Sequence, residues 1–318
     1  GLMYFISLVK YCSCMLVLLA LAACGQNEPA EALTAAPDRP NFVIIMTDDM
    51  GFTDFGAFGG RDMKTPNLDN LALNGIRFTN FHGHLSCAPS RAMLMSGTGN
   101  HEAGLGTQRD IERFRGERNY ERYLVDRVAT LPEILADAGY RTYLAGKWGL
   151  GGPQALDPTQ RGFGKAFALV PSGGGHLQAL FHESRYTFNG KPVTEPEDPI
   201  YSTTLFTDQL IAFFEEDRGS DQPFFALFAP TAPHWPLHMP PGMKVSDEAS
   251  YDGGYDKLRS LRLAGAALAG VLPEGVNSNP YPSKAIPWDS LDTEEKALQI
   301  KVMEIYAAMI GHLDQEVG

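Results

Sequence analysis

Apolar residues in this chain fall in short unbroken runs separated by stretches with helical spacing. Asn41 to Thr47 is apolar and β-branched, which predicts a strand buried on both faces. Ile76 to Phe81, Tyr140 to Ala145 and Pro223 to Phe228 predict three more strands. Thr65 to Ala72 predicts a helix, with Pro66 at its first position and Gly75 after its end. Leu131 to Gly139 predicts a second helix, closed by Gly139. Thr203 to Asp217 shows helical spacing through Leu205, Leu210, Phe213 and Phe214, and Thr293 to Val317 through Leu298, Val302, Ile305, Met309 and Leu313. The charged stretch Arg109 to Arg127 is only weakly periodic and reads as a surface excursion. Arg161 to Phe163 and the glycine-rich Pro171 to His176 read as flexible loop, and no P-loop Lys-Ser/Thr follows the glycines. Met239 to Pro287 reads as loop with one short helix near Leu258 to Leu268. Strands that alternate with helices make an α/β protein, and no internal repeat is present.

The first residues follow a different rule. Lys10 precedes the apolar run Met15 to Ala23, which is short for a bilayer span and ends in small residues. Residues 1–23 therefore read as a secretory signal, or as an uncleaved anchor. Leu21-Ala22-Ala23-Cys24 resembles a bacterial lipobox, in which Cys24 takes a lipid and becomes the mature N-terminus. Residues 24–39, rich in Ala, Pro and Glu, read as a flexible tether, and 40–318 as the catalytic domain. The expected location is a bacterial periplasm or outer membrane. Of the 4 cysteines, Cys12 and Cys14 leave with the signal and Cys24 takes lipid, so Cys87 alone remains in the body. An unpaired cysteine is unusual in an exported domain. The formal net charge of -12 argues against a nucleic-acid partner and requires any attraction for an anion to be local.

Candidate chemistry collects at predicted strand ends, where open α/β sheets place ligands. Asp48-Asp49 follows the first strand; such adjacent acids repel, and either a hard cation or solvation as an acidic turn relieves them. Gly146-Lys147-Trp148-Gly149 follows the strand at 140–145, and Lys147 faces either the same crevice or solvent. Ala232-Pro233-His234-Trp235-Pro236 follows the strand at 223–228, with His234 either structural or a ligand among loop-fixing prolines. Cys87-Ala88-Pro89-Ser90-Arg91 opens a predicted helix, and a helix N-terminus beside Arg91 favours an anion. On its own, this stretch also reads as a small buried cysteine beside a helix-starting proline. His82, His84 and His101 read as loop residues and receive no role.

These motifs, in this order, resemble the formylglycine-dependent (type I) sulfatases of the alkaline phosphatase superfamily. C-x-P-S-R at 87–91 is similar to their maturation signature, Asp48-Asp49 to their first metal motif, and G-K-W at 146–148 and A-P-H-W-P at 232–236 to two sulfate-site loops. Thr65 to Leu71 is similar to a family segment read as scaffold. The resemblance implies an α/β sandwich with a mixed, largely parallel central sheet flanked by helices. It implies that a maturation enzyme oxidises Cys87 to formylglycine, whose hydrate attacks sulfur. Asp48, Asp49 and residue 87 would bind calcium, Arg91 would stabilise the hydrate, Lys147 and His234 would hold sulfate oxygens, and His234 would protonate the leaving alcohol.

One departure stands inside the motifs: Gly149 occupies the place of a histidine in G-K-W-H-L-G. The family's second metal motif, a later lysine and the C-terminal subdomain have no counterpart, and the chain starts at Gly1, so the sequence reads as a fragment. The expected function is hydrolysis of aryl or carbohydrate sulfate monoesters. The alternatives are a phosphonate or phosphate monoester hydrolase of the same superfamily, and a non-catalytic lipoprotein that binds sulfated glycans.

Overall fold

An apolar run becomes a strand only where its backbone N–H and C=O groups find a ladder. The computed structural model describes residues 39–151, 157–177, 186–193, 200–244, 251–273, 275–276 and 286–318. Residues 1–38, which hold the segments expected to be signal and lipobox and all but the end of the expected tether, lie outside these residues. In chain order the described elements are β1 (Phe42–Ile45), α1 (Pro66–Leu73), α2 (Cys87–Ser96), α3 (Leu131–Asp137), β2 (Arg141–Lys147) and β3 (Lys165–Leu169). They continue with β4 (Tyr186–Phe188), β5 (Lys191–Val193), α4 (Ser202–Glu216), β6 (Phe224–Ala229), α5 (Gly254–Leu268) and α6 (Thr293–Val317).

The sheet order is β1-β6-β2-β3-β4-β5. β6 pairs in parallel with both β1 and β2, and β2 pairs in parallel with β3. β4 and β5 add an antiparallel hairpin at the far edge. The parallel register sets Ile45 opposite Phe228, Gly146 opposite Ala229 and Lys147 opposite Leu169. The carboxyl ends of β1, β6, β2 and β3 therefore open on one side, with the acidic pair, the cis-proline loop, the Lys147 loop and the glycine-rich loop next to one another.

Alternation along the strands divides the core between two faces. Leu144, Phe225 and Leu227 pack with Ala88, Ala92 and Met95 of α2 and Leu131 and Leu135 of α3. Tyr143, Ala145, Ala226 and Phe228 pack with Phe206, Leu210 and Phe213 of α4 and Leu313 of α6. The result is a mixed, largely parallel sheet with helices on both faces, as the strand and helix alternation requires.

Two expectations are corrected. β1 is an edge strand rather than one buried on both faces, and Phe42 and Val43 are 43% and 52% exposed, because β6 alone pairs with it among the described residues. Ile76 to Phe81 is loop, with Ile76, Phe78 and Phe81 at 81%, 69% and 79% exposure. β-propensity alone does not make a strand where no partner strand is at hand.

The T-P-N-L-D segment is scaffold. The Thr65 hydroxyl accepts from the Gly56 N–H at 2.9 Å and donates to Asp69 Oδ1 at 3.0 Å, while Asp69 Oδ1 takes the Ala57 N–H at 2.7 Å. The hydroxyl is thus unavailable to cap α1, and buried Asp314 of α6 does so instead. Its carboxylate accepts from the N–H groups of Leu68 at 2.8 Å and Asn67 at 3.1 Å. Replacing Asp314 with alanine leaves two donors of the first turn unmet, and should cost about 1–3 kcal/mol. Urea unfolding should show a lower midpoint with an unchanged slope, and an unmoved midpoint would show that the cap contributes nothing.

Candidate active site

The acidic pair separates into two environments. Asp48 is buried (3% exposed) and receives Lys147 Nζ on Oδ2 at 2.5 Å, while Arg91 stands 3.6 Å from its Oδ1. Asp49 has a positive φ of 62° and a side chain 62% exposed. A buried carboxylate costs several kcal/mol unless it is paired, and here two cations pair it. The repulsion anticipated from adjacency is therefore relieved by Lys147 and Arg91 on one side and by water on the other.

Both cations are placed by regular structure. Lys147 is the last residue of β2 and is fully buried, which excludes the solvent-facing alternative. Arg91 lies one turn into α2, is 3% exposed, and donates to the Lys147 carbonyl at 2.9 Å. Burial lowers the pKa of its guanidinium, and attraction to Asp48 and Cys87 opposes that effect. Arginine remains charged under such a shift. Two buried positive charges against one buried carboxylate leave a local surplus for an anion in a chain of net charge -12.

Cys87 is the first residue of α2 and is half-buried, with a free thiol. Its Sγ lies 3.6 Å from Gln108 Oε1, the same oxygen that takes the Ser86 hydroxyl. Pro89, in the first turn, removes an N–H that would have had no helical partner. His234 sits in the turn after β6, between the cis peptides Ala232–Pro233 and Trp235–Pro236. Its Nδ1 bonds the Trp235 carbonyl, and its Nε2 stands 3.5 Å from Asp49 Oδ2. The ring thus faces the exposed acid of the pair.

Three supporting residues carry no signal of their own in the sequence. Gln108 lies just before the charged excursion. Tyr306 of α6 places its hydroxyl 3.0 Å from the Asp49 carbonyl and 2.7 Å from Asp54 Oδ2. His176, in the loop read as flexible, is 1% exposed, and its Nε2 stands 2.9 Å from the His234 carbonyl. The departure at Gly149 also falls in the site. A Cβ added there would lie 3.3 Å from Lys147 Cε and 3.5 Å from Arg91 Cδ.

The sulfatase family model matches residues 40–318, which contain every residue placed above. The chain belongs to the sulfatase family. It is 41% identical over 301 residues to an uncharacterized sulfatase of Schizosaccharomyces pombe, covering 89% of this chain and 54% of that protein. An arylsulfatase of Klebsiella aerogenes is 35% identical, with 90% of this sulfatase and 62% of that one covered. A protein solved with its substrate D-glucosamine-2-N,6-O-disulfate shares the fold, with a TM-score of 0.59, 20% identity, and 88% of this chain and 61% of that one covered. This sulfatase chain thus spans 54% and 62% of the length of those two curated relatives.

Proposed function

We propose that the whole protein is a hydrolase of sulfate monoesters carried on aryl or carbohydrate alcohols. The observation that carries this reading is the buried Arg91–Lys147 pair set beside Cys87 at the strand ends. Family membership and the arylsulfatase relative support it.

Cys87 suits conversion to formylglycine, because its thiol is half-buried, uncrosslinked and followed by Pro89 and Arg91. Oxidation by a formylglycine-generating enzyme would give residue 87 an aldehyde, whose hydrate supplies an oxygen nucleophile and a second hydroxyl. The remaining roles fall to the side chains already placed. Lys147 and His234 hold sulfate oxygens and Arg91 stabilises the hydrate, in a region where little water weakens the attraction. Asp48 keeps Lys147 Nζ fixed at 2.5 Å, so the ammonium is oriented before substrate arrives. His234 Nδ1 carries its proton toward the Trp235 carbonyl, which leaves Nε2 as the nitrogen that exchanges a proton with the leaving alcohol.

Asp48 and Asp49 are donors of the right kind for calcium, but they do not complete a site. Calcium takes about six to eight oxygens. Among the described residues no group of three or more His, Cys, Asp or Glu is placed to hold a metal ion, and Asp48 is already paired with two cations. Calorimetry on the 318-residue chain should therefore show calcium binding no tighter than about 1 mM, the weak end of protein sites. Micromolar binding would mean that donors other than this acidic pair are present.

Export as a lipoprotein anchored through Cys24 belongs to the same proposal and rests on the pattern of residues 15–24. The deciding experiment is the relative turnover of aryl sulfate, aryl phosphate and aryl phosphonate esters by the full-length, matured protein. The reading expects sulfate to be preferred. A preference for phosphate or phosphonate would replace it with the rival hydrolase. Binding of sulfated glycan without turnover, with Cys87 still a thiol by mass spectrometry, would replace it with a non-catalytic binder.

A further inference from the structure

The loop that carries His234 has few hydrogen bonds of its own. Pro230, Pro233 and Pro236 have no N–H to donate, and the His234 N–H is taken by the Thr231 carbonyl at 2.9 Å. The His234 carbonyl needs a donor from elsewhere, and the donor is His176 Nε2 at 2.9 Å. A carbonyl only accepts, so this nitrogen carries the ring proton, and Nδ1 is left to accept from the Ser202 hydroxyl at 2.9 Å. The ring lies nearly parallel to that of Tyr201, with centroids 5.5 Å apart. Its backbone carbonyl takes the Ser202 N–H at 2.9 Å, and its own N–H reaches His238 Nδ1 at 3.3 Å. One imidazole thus ties the loop after β3, the start of α4 and the loop after β6 into a single block.

We propose that His176 is a positioning residue for His234, its Nε2–H···O=C bond setting where the His234 ring stands relative to the leaving oxygen. The inference rests on the hydrolase reading above. Burial supports the tautomer, because it pushes the pKa of His176 down to about 4 and keeps the ring neutral at ordinary pH. His176 touches no reacting atom. It acts on the backbone of the residue that does; the same loops also meet at His176 N–H to His238 Nδ1, 3.3 Å, and at Thr231 Oγ1, 3.4 Å from His176 Nδ1, but neither contact reaches the His234 carbonyl.

Geometry assigns three substitutions distinct outcomes. Glutamine can set an amide N–H near the place of Nε2–H and still reach the His234 carbonyl. Asparagine reaches only the place of Nδ1, and phenylalanine keeps the volume and the stack on Tyr201 but no hydrogen bond. The experiment measures kcat/KM of the matured, full-length enzyme on sulfate esters of increasingly basic alcohols. A nitrophenolate departs with little help, whereas an alkoxide or sugar alkoxide needs its proton delivered. His176→Phe and His176→Asn should lose about 10²-fold on the poor leaving groups, the cost of a misplaced catalytic group, and only about 3-fold on nitrophenyl sulfate. His176→Gln should stay within about 3-fold of the native enzyme throughout the series.

A loss uniform across the series would overturn the proposal, as would His176→Gln behaving like His176→Phe, or no loss in any variant. His234→Ala in the same series separates the two levels of inference. If that variant shows no dependence on the leaving group, the reading of His234 as the acid fails, and not its support by His176. A readout that needs no turnover and no folded variant is the side-chain ¹⁵N–¹H signal of His176. In the native protein it should be a slowly exchanging Nε2–H, and an Nδ1–H tautomer would overturn the proposal.

Discussion

Alanine at position 87 should abolish sulfate ester turnover by the full-length, matured protein while leaving its unfolding transition almost where it was. Loss of a nucleophile in other hydrolases costs on the order of 10⁶-fold in kcat, and no neighbour can substitute here. The Ser86 hydroxyl is bonded to Gln108, and the Ser90 hydroxyl is held at 3.0 Å by the Ser86 and His84 carbonyls. Stability should hardly change, because among the described residues the thiol's hydrogen-bond contact is a long one, 3.6 Å to Gln108 Oε1. Substitutions without a packing or hydrogen-bonding role fall within about 0.5 kcal/mol. Mass spectrometry supplies the companion measurement. Expressed with a formylglycine-generating system, the native peptide should lose the mass that separates a thiol from an aldehyde, and the alanine peptide should not change. Sulfatase activity retained by Cys87→Ala would remove the nucleophile assignment altogether.

What the sequence made legible follows the range over which each interaction acts. β2, β6 and the helices after Thr130 and Asp292 are written locally, in apolar runs and capping boxes such as Thr130 with Glu133 and Asp292 with Glu295. Strand ends are equally local, so Asp48, Lys147 and His234 could be put in one crevice before any contact between them was known. Pairing is not local. The 2.5 Å bond from Lys147 to Asp48 joins residues 99 positions apart, and nothing in either motif announces it. His176 was hidden for a related reason. Three glycines before it suggested a mobile loop, but a buried ring that meets donors and acceptors from two other segments fixes such a loop. Edges were illegible too. Val43 and Phe78 have the composition of buried strand, and only the sheet order reveals that neither is covered among the described residues.

Gly149 gives the sharpest expectation that sequence and geometry support together. By the resemblance, a histidine at this place takes the proton from the second hydroxyl of the formylglycine hydrate, a step needed for sulfate to depart but not for the alcohol to leave. The geometry agrees with a side chain directed at the site, since a Cβ at 149 would stand 3.3 Å from Lys147 Cε and 3.5 Å from Arg91 Cδ. The three histidines near in sequence are engaged elsewhere. His82 Nε2 bonds Asn80 at 2.7 Å, His84 Nδ1 takes the Ser86 N–H at 3.2 Å, and His101 packs edge-on to Tyr120. A general base contributes about 10²–10⁴-fold, so the native enzyme should release a fast burst of alcohol and then turn over slowly. Gly149→His should raise the steady rate by about 10²-fold and leave the burst unchanged. The substitution has a cost, because Gly149 has a φ of 68° and a left-handed L-residue loses roughly 1–2 kcal/mol. Histidine is among the residues found there more often than most, and Lys147 Cε is the flexible end of a side chain that can yield a few tenths of an ångström. The variant should therefore fold, melt lower and work faster. If the native enzyme shows no burst and Gly149→His changes neither phase, the base is another residue.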